Sequence, residues 1–327
     1  MSEHTAGVVV VGSFVQDHAW LCERFPATGE TVRATGFNTG PGGKGFNQAI
    51  AAHRLGAPTV FLGALGEDAL AAGARAFADA EGLACRWQTC AEAHTASSSI
   101  LVDARGDNRI VVNLAANECL ETDFIRANAD AFAGRRVLLA QLETNDAAVH
   151  TALALGRDKG LRCVLNPAPV PIDFDPGLLR ACDVLTPNES EFALLLRRCT
   201  ASHIETDAVA LLDDAMLDAQ CRLLGVATIV ITLGAQGCFV SHAADAPLAA
   251  SDTRRCYRVA PEQVNAIDTT GAGDAFSGAL AAALATAPMA PFLSLVTLAR
   301  RTAALSTETI GTAPAMPRPA AIRERFR

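Results

Sequence analysis

Short, largely apolar runs alternate along this chain with longer segments of helical character. Val8–Val11, Thr59–Leu62, Arg136–Ala140, Cys163–Leu165, Val184–Leu185 and Thr228–Thr232 predict buried strands. Between them lie helical stretches at Asn47–Leu55, Ala69–Ala80, Asp146–Gly156 and Asp213–Leu224. Strands alternating with helices predict an α/β fold whose mostly parallel sheet is covered on both faces. Ligands of such sheets collect at the carboxyl ends of the strands.

One region breaks the alternation. Ser97–Leu114 has β-rich arms around a polar Arg105-Gly-Asp107 turn, a hairpin signal, and Glu30–Phe37 is also strand-like. Together they predict a small antiparallel sheet projecting from the main body, either as a cover over a site or as an oligomer contact. No internal repeat or linker divides the chain, so residues 1–327 read as one domain.

Composition narrows the function. The formal charge is −8 and no long basic run occurs, which argues against nucleic acid and requires any anionic ligand to be held locally. Ten scattered cysteines form no C-x-x-C pair and match neither a disulfide framework nor a zinc site. Met1-Ser-Glu-His-Thr5 lacks a signal-peptide pattern, and the weakly polar run Ala279–Ala290 is too short to span a bilayer. The expectation is a soluble, reduced, cytoplasmic protein without a membrane or nucleic-acid partner. Lys44 and Lys159 are the only lysines, which draws attention to Lys44 within its glycines.

The strongest chemical signal is Val264–Phe276, where Asp268 and Asp274 flank a glycine-rich turn leading into the helix-forming run Ser277–Ala285. Free amides at the positive end of a helix attract phosphate. A carboxylate there is costly unless it works, and accepting a proton from an attacking hydroxyl would be such work. Asp274 could equally be a simple helix cap.

Other segments offer weaker signals. Gly40–Ala49 is glycine-rich but is not a Walker loop, because Gly45 follows Lys44; Lys44 and Asn47 offer donors for hydroxyl groups. Asp17 follows the first strand and Glu143 ends another, as ligand-binding carboxylates or as turn residues. Asn188-Glu-Ser-Glu191 could orient the waters of a magnesium ion or simply begin a helix. Thr232-Leu-Gly-Ala-Gln-Gly237 could cradle a nucleotide or form a hairpin turn.

In this order, with Asn166-Pro-Ala-Pro169 between them, these segments resemble the ribokinase-like, or PfkB, carbohydrate kinase family from about Val8 to Pro317. The glycine–lysine segment and Gln141-Leu-Glu143 resemble its ribokinase branch. The resemblance implies a three-layer α/β/α sandwich with a small β-sheet lid, here at about 14–46 and 95–115. It implies ATP-dependent phosphoryl transfer to a hydroxyl group of ribose or a related furanose. Asp274 would be the general base, and the amides of Gly271, Ala272, Gly273 and Asp274 would surround the anion hole. Asp17, Gly43, Lys44, Asn47 and Glu143 would contact the sugar.

By the same resemblance Asn188, Thr232, Gly234, Gly237, Gly273 and Arg300 would contact ATP, and Glu191 would organise Mg2+ through water. Asp268, Thr270, Ser306, Thr309, Gly311 and Ala315 would form a monovalent-cation site, with K+ as an activator. A homodimer through the lid is also implied. Two positions depart from the ribokinase pattern. Val15 stands where those enzymes usually have Asn, and Phe46 replaces a small residue, either filling space or stacking on a flat group. These departures keep a nucleoside kinase open as an alternative. A catalytically silent sugar or nucleotide sensor on the same fold is the alternative of another class.

Overall fold

The computed structural model describes residues 7–327; the Met1–Thr5 stretch read above for a leader lies outside them. The first strand, β1 (Val8–Val11), shows how the body is layered. Val8 and Val10 belong to one buried cluster and Val9 and Val11 to another, the period-two alternation of a strand covered on both faces.

The chain continues through β2 (Val15–Leu21), β3 (Gly36–Gly42), α1 (Lys44–Arg54), β4 (Thr59–Leu65), α2 (Ala69–Glu81), β5 (Ala84–Thr89), β6 (Ser97–Val102), β7 (Asn108–Asn113) and α3 (Thr122–Ala127). Next come β8 (Val137–Ala140), α4 (Asp146–Asp158), β9 (Arg162–Leu165), α5 (Gly177–Ala181), β10 (Val184–Leu185), α6 (Glu189–Cys199), α7 (Thr206–Val209) and α8 (Asp214–Leu223). The last elements are β11 (Thr228–Thr232), β12 (Cys238–His242), β13 (Cys256–Val259), α9 (Ala272–Thr286), α10 (Phe292–Ser306) and α11 (Pro319–Arg325).

Nine strands form the main sheet in the order β13-β12-β11-β10-β9-β8-β1-β4-β5. Pairing is parallel from β11 to β5, while β12 and β13 are antiparallel additions at one edge. Helices α1, α2, α9 and α10 supply apolar side chains to the cluster under Val8 and Val10, and α4, α6 and α8 to the cluster under Val9 and Val11. The result is the expected three-layer α/β/α sandwich. Among the described residues no helix is long and apolar enough to cross a membrane.

A separate four-stranded sheet has the order β3-β2-β6-β7. Its β6–β7 hairpin matches the expectation, but two details differ. The β2–β6 pair is parallel, so the sheet is mixed rather than antiparallel. Glu30–Thr35 is not strand: Glu30 turns back to accept the Ala27 amide and to pair with Arg24. The real strand, β3, runs through Phe37-Asn-Thr-Gly-Pro41, whose glycine and proline mask its pairing with β2.

Close packing of α1 on α9 brings their amino termini together. A Cβ at Gly278 would lie 2.3 Å from the Gln48 carbonyl oxygen, so only glycine permits this approach. Phe46 N–H donates to the Ser13 carbonyl at 2.8 Å, which fixes the start of α1 at the carboxyl end of β1.

Candidate active site

Asp274 lies in the first turn of α9 and is only 6% exposed. Its two carboxylate oxygens are both engaged from α1: Asn47 Nδ2 donates to Oδ2 and Gln48 Nε2 to Oδ1, each at 2.9 Å. Burial pushes the Asp274 carboxyl above the usual carboxylate range; the Lys44 charge and the two amides offset this only in part. A buried carboxylate with a raised pKa, held by fixed donors, is suited to taking a proton from a hydroxyl.

Gln48 is itself oriented. Its Oε1 accepts from Gln141 Nε2 at 2.6 Å, and its Nε2 also donates to Asn166 Oδ1 at 3.0 Å. Gln48 and Ser13 did not stand out in the sequence, and Gln141 stood out only within the Gln141-Leu-Glu143 strand end, with no role of its own. The helical spacing from Lys44 could have exposed Gln48, because residues four apart share a face. Asn47 gives one N–H of its side-chain amide to Asp274, and its Oδ1 acceptor is buried without a protein partner.

Gly271 precedes α9 with φ 78°, a left-handed turn that glycine adopts without strain, and no side chain caps the helix. The Ala272 amide is not free, since it donates to the Thr269 carbonyl at 3.2 Å. The available first-turn amides are therefore those of Gly273 and Asp274. Both residues line a cavity of about 140 Å³ together with Lys44, Asn188, Glu191 and Thr232.

Lys44 is the cationic wall of this cavity. Burial alone would lower its pKa, but the carboxylates of Asp274, Glu143, Glu191 and Asp17 reverse that and raise it, so the ammonium stays charged. Glu143 Oε2 accepts from Ser13 Oγ at 2.6 Å and from the Lys44 amide at 3.0 Å, tying β8 to the glycine turn. Asp17, on β2, is held by Ser98 Oγ at 2.6 Å and Thr312 Oγ1 at 3.0 Å. Burial raises the Asp17 pKa, and these two hydrogen bonds only partly counter it.

The cap reading of Asn188 and Glu191 holds, and it leaves both residues on the cavity wall. The two residues form a capping box at the start of α6. Burial raises the Glu191 pKa despite the Asn188 amide. Thr232–Gly237 is a hairpin connection between β11 and β12, containing a short 3₁₀ turn at Gly234–Gln236. Arg300 is paired with Glu262 at 2.7 Å, and its Nε and Nη1 are buried without partners. It does not line the cavity.

Asp268 joins two loops: its Oδ1 accepts the Thr270 amide at 2.9 Å and its Oδ2 the Gly311 amide at 3.0 Å. Ser306 ends α10 with its hydroxyl on the Ala303 carbonyl, and Thr309 and Ala315 flank Gly311 in sequence. Among the described residues no group of three or more His, Cys, Asp or Glu side chains is placed to hold a metal.

Phe46 takes the space-filling reading. Its ring is fully buried against Phe14, Phe61, Phe77 and Trp87, in the body of the fold and away from the cavity. It cannot stack on a ligand there. Val15 is buried at the start of β2, opposite Gly42. A larger cavity of about 300 Å³ opens at the other end of the strands, where Arg136, Arg162 and Asp183 lie. Nothing of the chemistry above reaches it.

A family model described as pfkB family carbohydrate kinase matches residues 5–319. The chain is 34% identical to the ribokinase of Mus musculus over 321 residues, 96% of this chain and 93% of that protein. It is 34% identical to the ribokinase of Haemophilus influenzae, covering 85% of each. The solved structure of ribokinase from Giardia lamblia superposes with a TM-score of 0.85 at 25% identity over 98% of both chains. A ribokinase of Arabidopsis thaliana complexed with ribose and ATP gives 0.78 at 26% identity, again over 98% of both.

Proposed function

The chain belongs to the pfkB family of carbohydrate kinases and is an ATP-dependent sugar kinase, and on that premise we propose that it phosphorylates the hydroxymethyl group of D-ribose. The observation that carries this reading is the placement of Asp274. It sits buried at a helix terminus with no side-chain cap, lines one cavity with Lys44, and accepts hydrogen bonds from Asn47 and Gln48 just beyond that lysine.

In this proposal Asp274 accepts the proton of the attacking hydroxyl. The amides of Gly273 and Asp274, with Lys44, face the charge that develops on the moving phosphoryl group. Asp17, Gly43, Glu143 and the unpaired Asn47 Oδ1 receive the sugar. Asn188, Thr232, Gly234 and Gly237 border the nucleotide. Arg300, paired with Glu262 and outside the cavity lining, is given no contact with the nucleotide.

Magnesium fits as a nucleotide-borne ion, since the cavity offers Glu191 and no protein cage. It would neutralise phosphate charge when bound. The loops joined by Asp268 carry hard oxygen donors from Thr270, Ser306, Thr309, Gly311 and Ala315, which suits potassium. Equal rates in potassium and tetramethylammonium would remove that assignment. The exposed apolar edge strand β7, with Val111 74% exposed, supports a homodimer through the small sheet acting as a lid. All ten cysteines are free thiols, which suits the reducing, ATP-bearing cytoplasm.

A panel of D-ribose, 2-deoxy-D-ribose, D-fructose, adenosine and inosine, read by coupled ADP formation, tests the proposal. D-Ribose is expected to give the highest kcat/KM. Preference for a nucleoside would overturn the sugar assignment, and absence of turnover on every member would favour a sensor.

A further inference from the structure

Thr312 occupies a junction. Its hydroxyl lies 3.0 Å from Asp17 Oδ2 and 3.1 Å from the Pro41 carbonyl on β3. Its methyl side faces the transfer turn, where a Cβ at Gly271 would lie 3.5 Å from Thr312 Cγ2. The preceding residue, Gly311, donates its amide to Asp268. One buried residue thus touches the small sheet, the Asp17 carboxylate and the turn that begins α9.

We propose that the Thr312 hydroxyl is a positioning group for Asp17, setting the direction in which that carboxylate meets the sugar. The inference rests on Asp17 being the sugar-binding carboxylate. Ser98 donates to Oδ1, and the single Thr312 hydroxyl proton is shared between Oδ2 and the Pro41 carbonyl, so the remaining lone pairs of Asp17 point in fixed directions. Gly42 makes this possible: a Cβ there would lie 2.0 Å from Asp17 Oδ2 and 2.8 Å from Thr312 Oγ1. Preorganised acceptors recognise hydroxyl donors without the entropy cost of ordering a free side chain.

The test separates hydroxyl from methyl. Thr312→Val keeps the shape and removes the hydrogen bond, and Thr312→Ser keeps the hydroxyl and removes the methyl. With D-ribose, Thr312→Val is expected to raise the sugar KM about tenfold, the usual effect of losing a hydrogen bond to a charged group. The change should fall on the sugar KM rather than on kcat or the ATP KM, and Thr312→Ser should restore it. A wild-type sugar KM in Thr312→Val with a defect in Thr312→Ser would show packing alone and overturn the inference. Asp17→Asn serves as the control. If it leaves the sugar KM unchanged, the reading of Asp17 fails first; if it raises KM while Thr312→Val does not, only the present inference fails.

Discussion

Gln48 donates its side-chain amide to Asp274 Oδ1 at 2.9 Å, and Gln141 fixes the direction of that amide from behind at 2.6 Å. A reversed amide would set a carbonyl against the carboxylate. Gln48→Met keeps the volume and removes the donor. Losing a hydrogen bond to a charged group costs about 1.5–3 kcal/mol, so kcat should fall by roughly tenfold to a hundredfold. That donor also favours the ionised form of Asp274, so its loss should move the acid limb of the kcat profile to higher pH. A wild-type kcat with an unmoved limb would show that Gln48 is only filling space.

The acid limb itself has a definite sign. Burial favours the neutral acid of Asp274, so its pKa in the folded protein lies above the usual carboxylate range. If the ionised form is the active one, activity is full at neutral pH and is lost as pH falls through that raised value. Asp274→Asn should lower kcat by about 10²–10⁴, the usual worth of a general base, and abolish the limb while sugar binding persists. A pH–rate profile of both proteins measures this, and a fully active Asp274→Asn would remove the base from the mechanism.

Much of this arrangement was legible in the sequence. The apolar runs marked six strands of the main sheet, because a strand buried on both faces needs no polar alternation. The edge strands β5 and β13 were missed, because mixed positions such as Cys85-Arg-Trp-Gln88 are partly exposed and carry no continuous run, and β12, though buried throughout, was missed as well. Asp274 and its turn were legible because glycine, carboxylate and helix former are adjacent in sequence. Ser98 and Thr312 were not, and Gln141 was marked only as part of a strand end. Their roles arise from contacts such as Thr312 with Asp17, 295 positions apart, where a common hydroxyl gains meaning only after folding.

Phe46 illustrates the opposite error, an unusual residue whose explanation is packing. Its ring makes edge-on contacts with Phe14 and Phe61 at 5.2 and 5.6 Å between centroids. Phe46→Leu should therefore destabilise the fold by about 1–3 kcal/mol through lost ring pairs and imperfect repacking. The ratio of kcat/KM for ribose to that for inosine should stay within about twofold of the wild type. Thermal unfolding and the substrate panel check both halves, and a changed ratio without a stability loss would return Phe46 to the substrate site.

Glu81 closes a clamp behind the loop that carries Thr312. Its carboxylate receives Arg54 Nη2 at 2.7 Å and Nε at 3.0 Å, and Arg318 at 3.0 Å. Arg54 in turn donates to the Pro314 carbonyl at 2.9 Å, tying α1, α2 and the 314–318 segment together. The Arg54 and Glu81 side chains are only 7% and 12% exposed, so Glu81→Ala strands a nearly buried guanidinium. Breaking such a pair costs about 3 kcal/mol, at the low end for buried partners. Hydrogen bonding from Arg54 holds the Glu81 carboxyl below the usual range. Its stabilisation is therefore complete above the unfolded carboxylate pKa and is lost as pH falls through the lower folded value. Urea unfolding should show a wide gap between wild type and Glu81→Ala at pH 7 and pH 5, narrowing below about pH 4 as the unfolded carboxyl protonates. A gap that stays constant across that range would mean that the side chain acts through packing, and that its charge does not hold the loop.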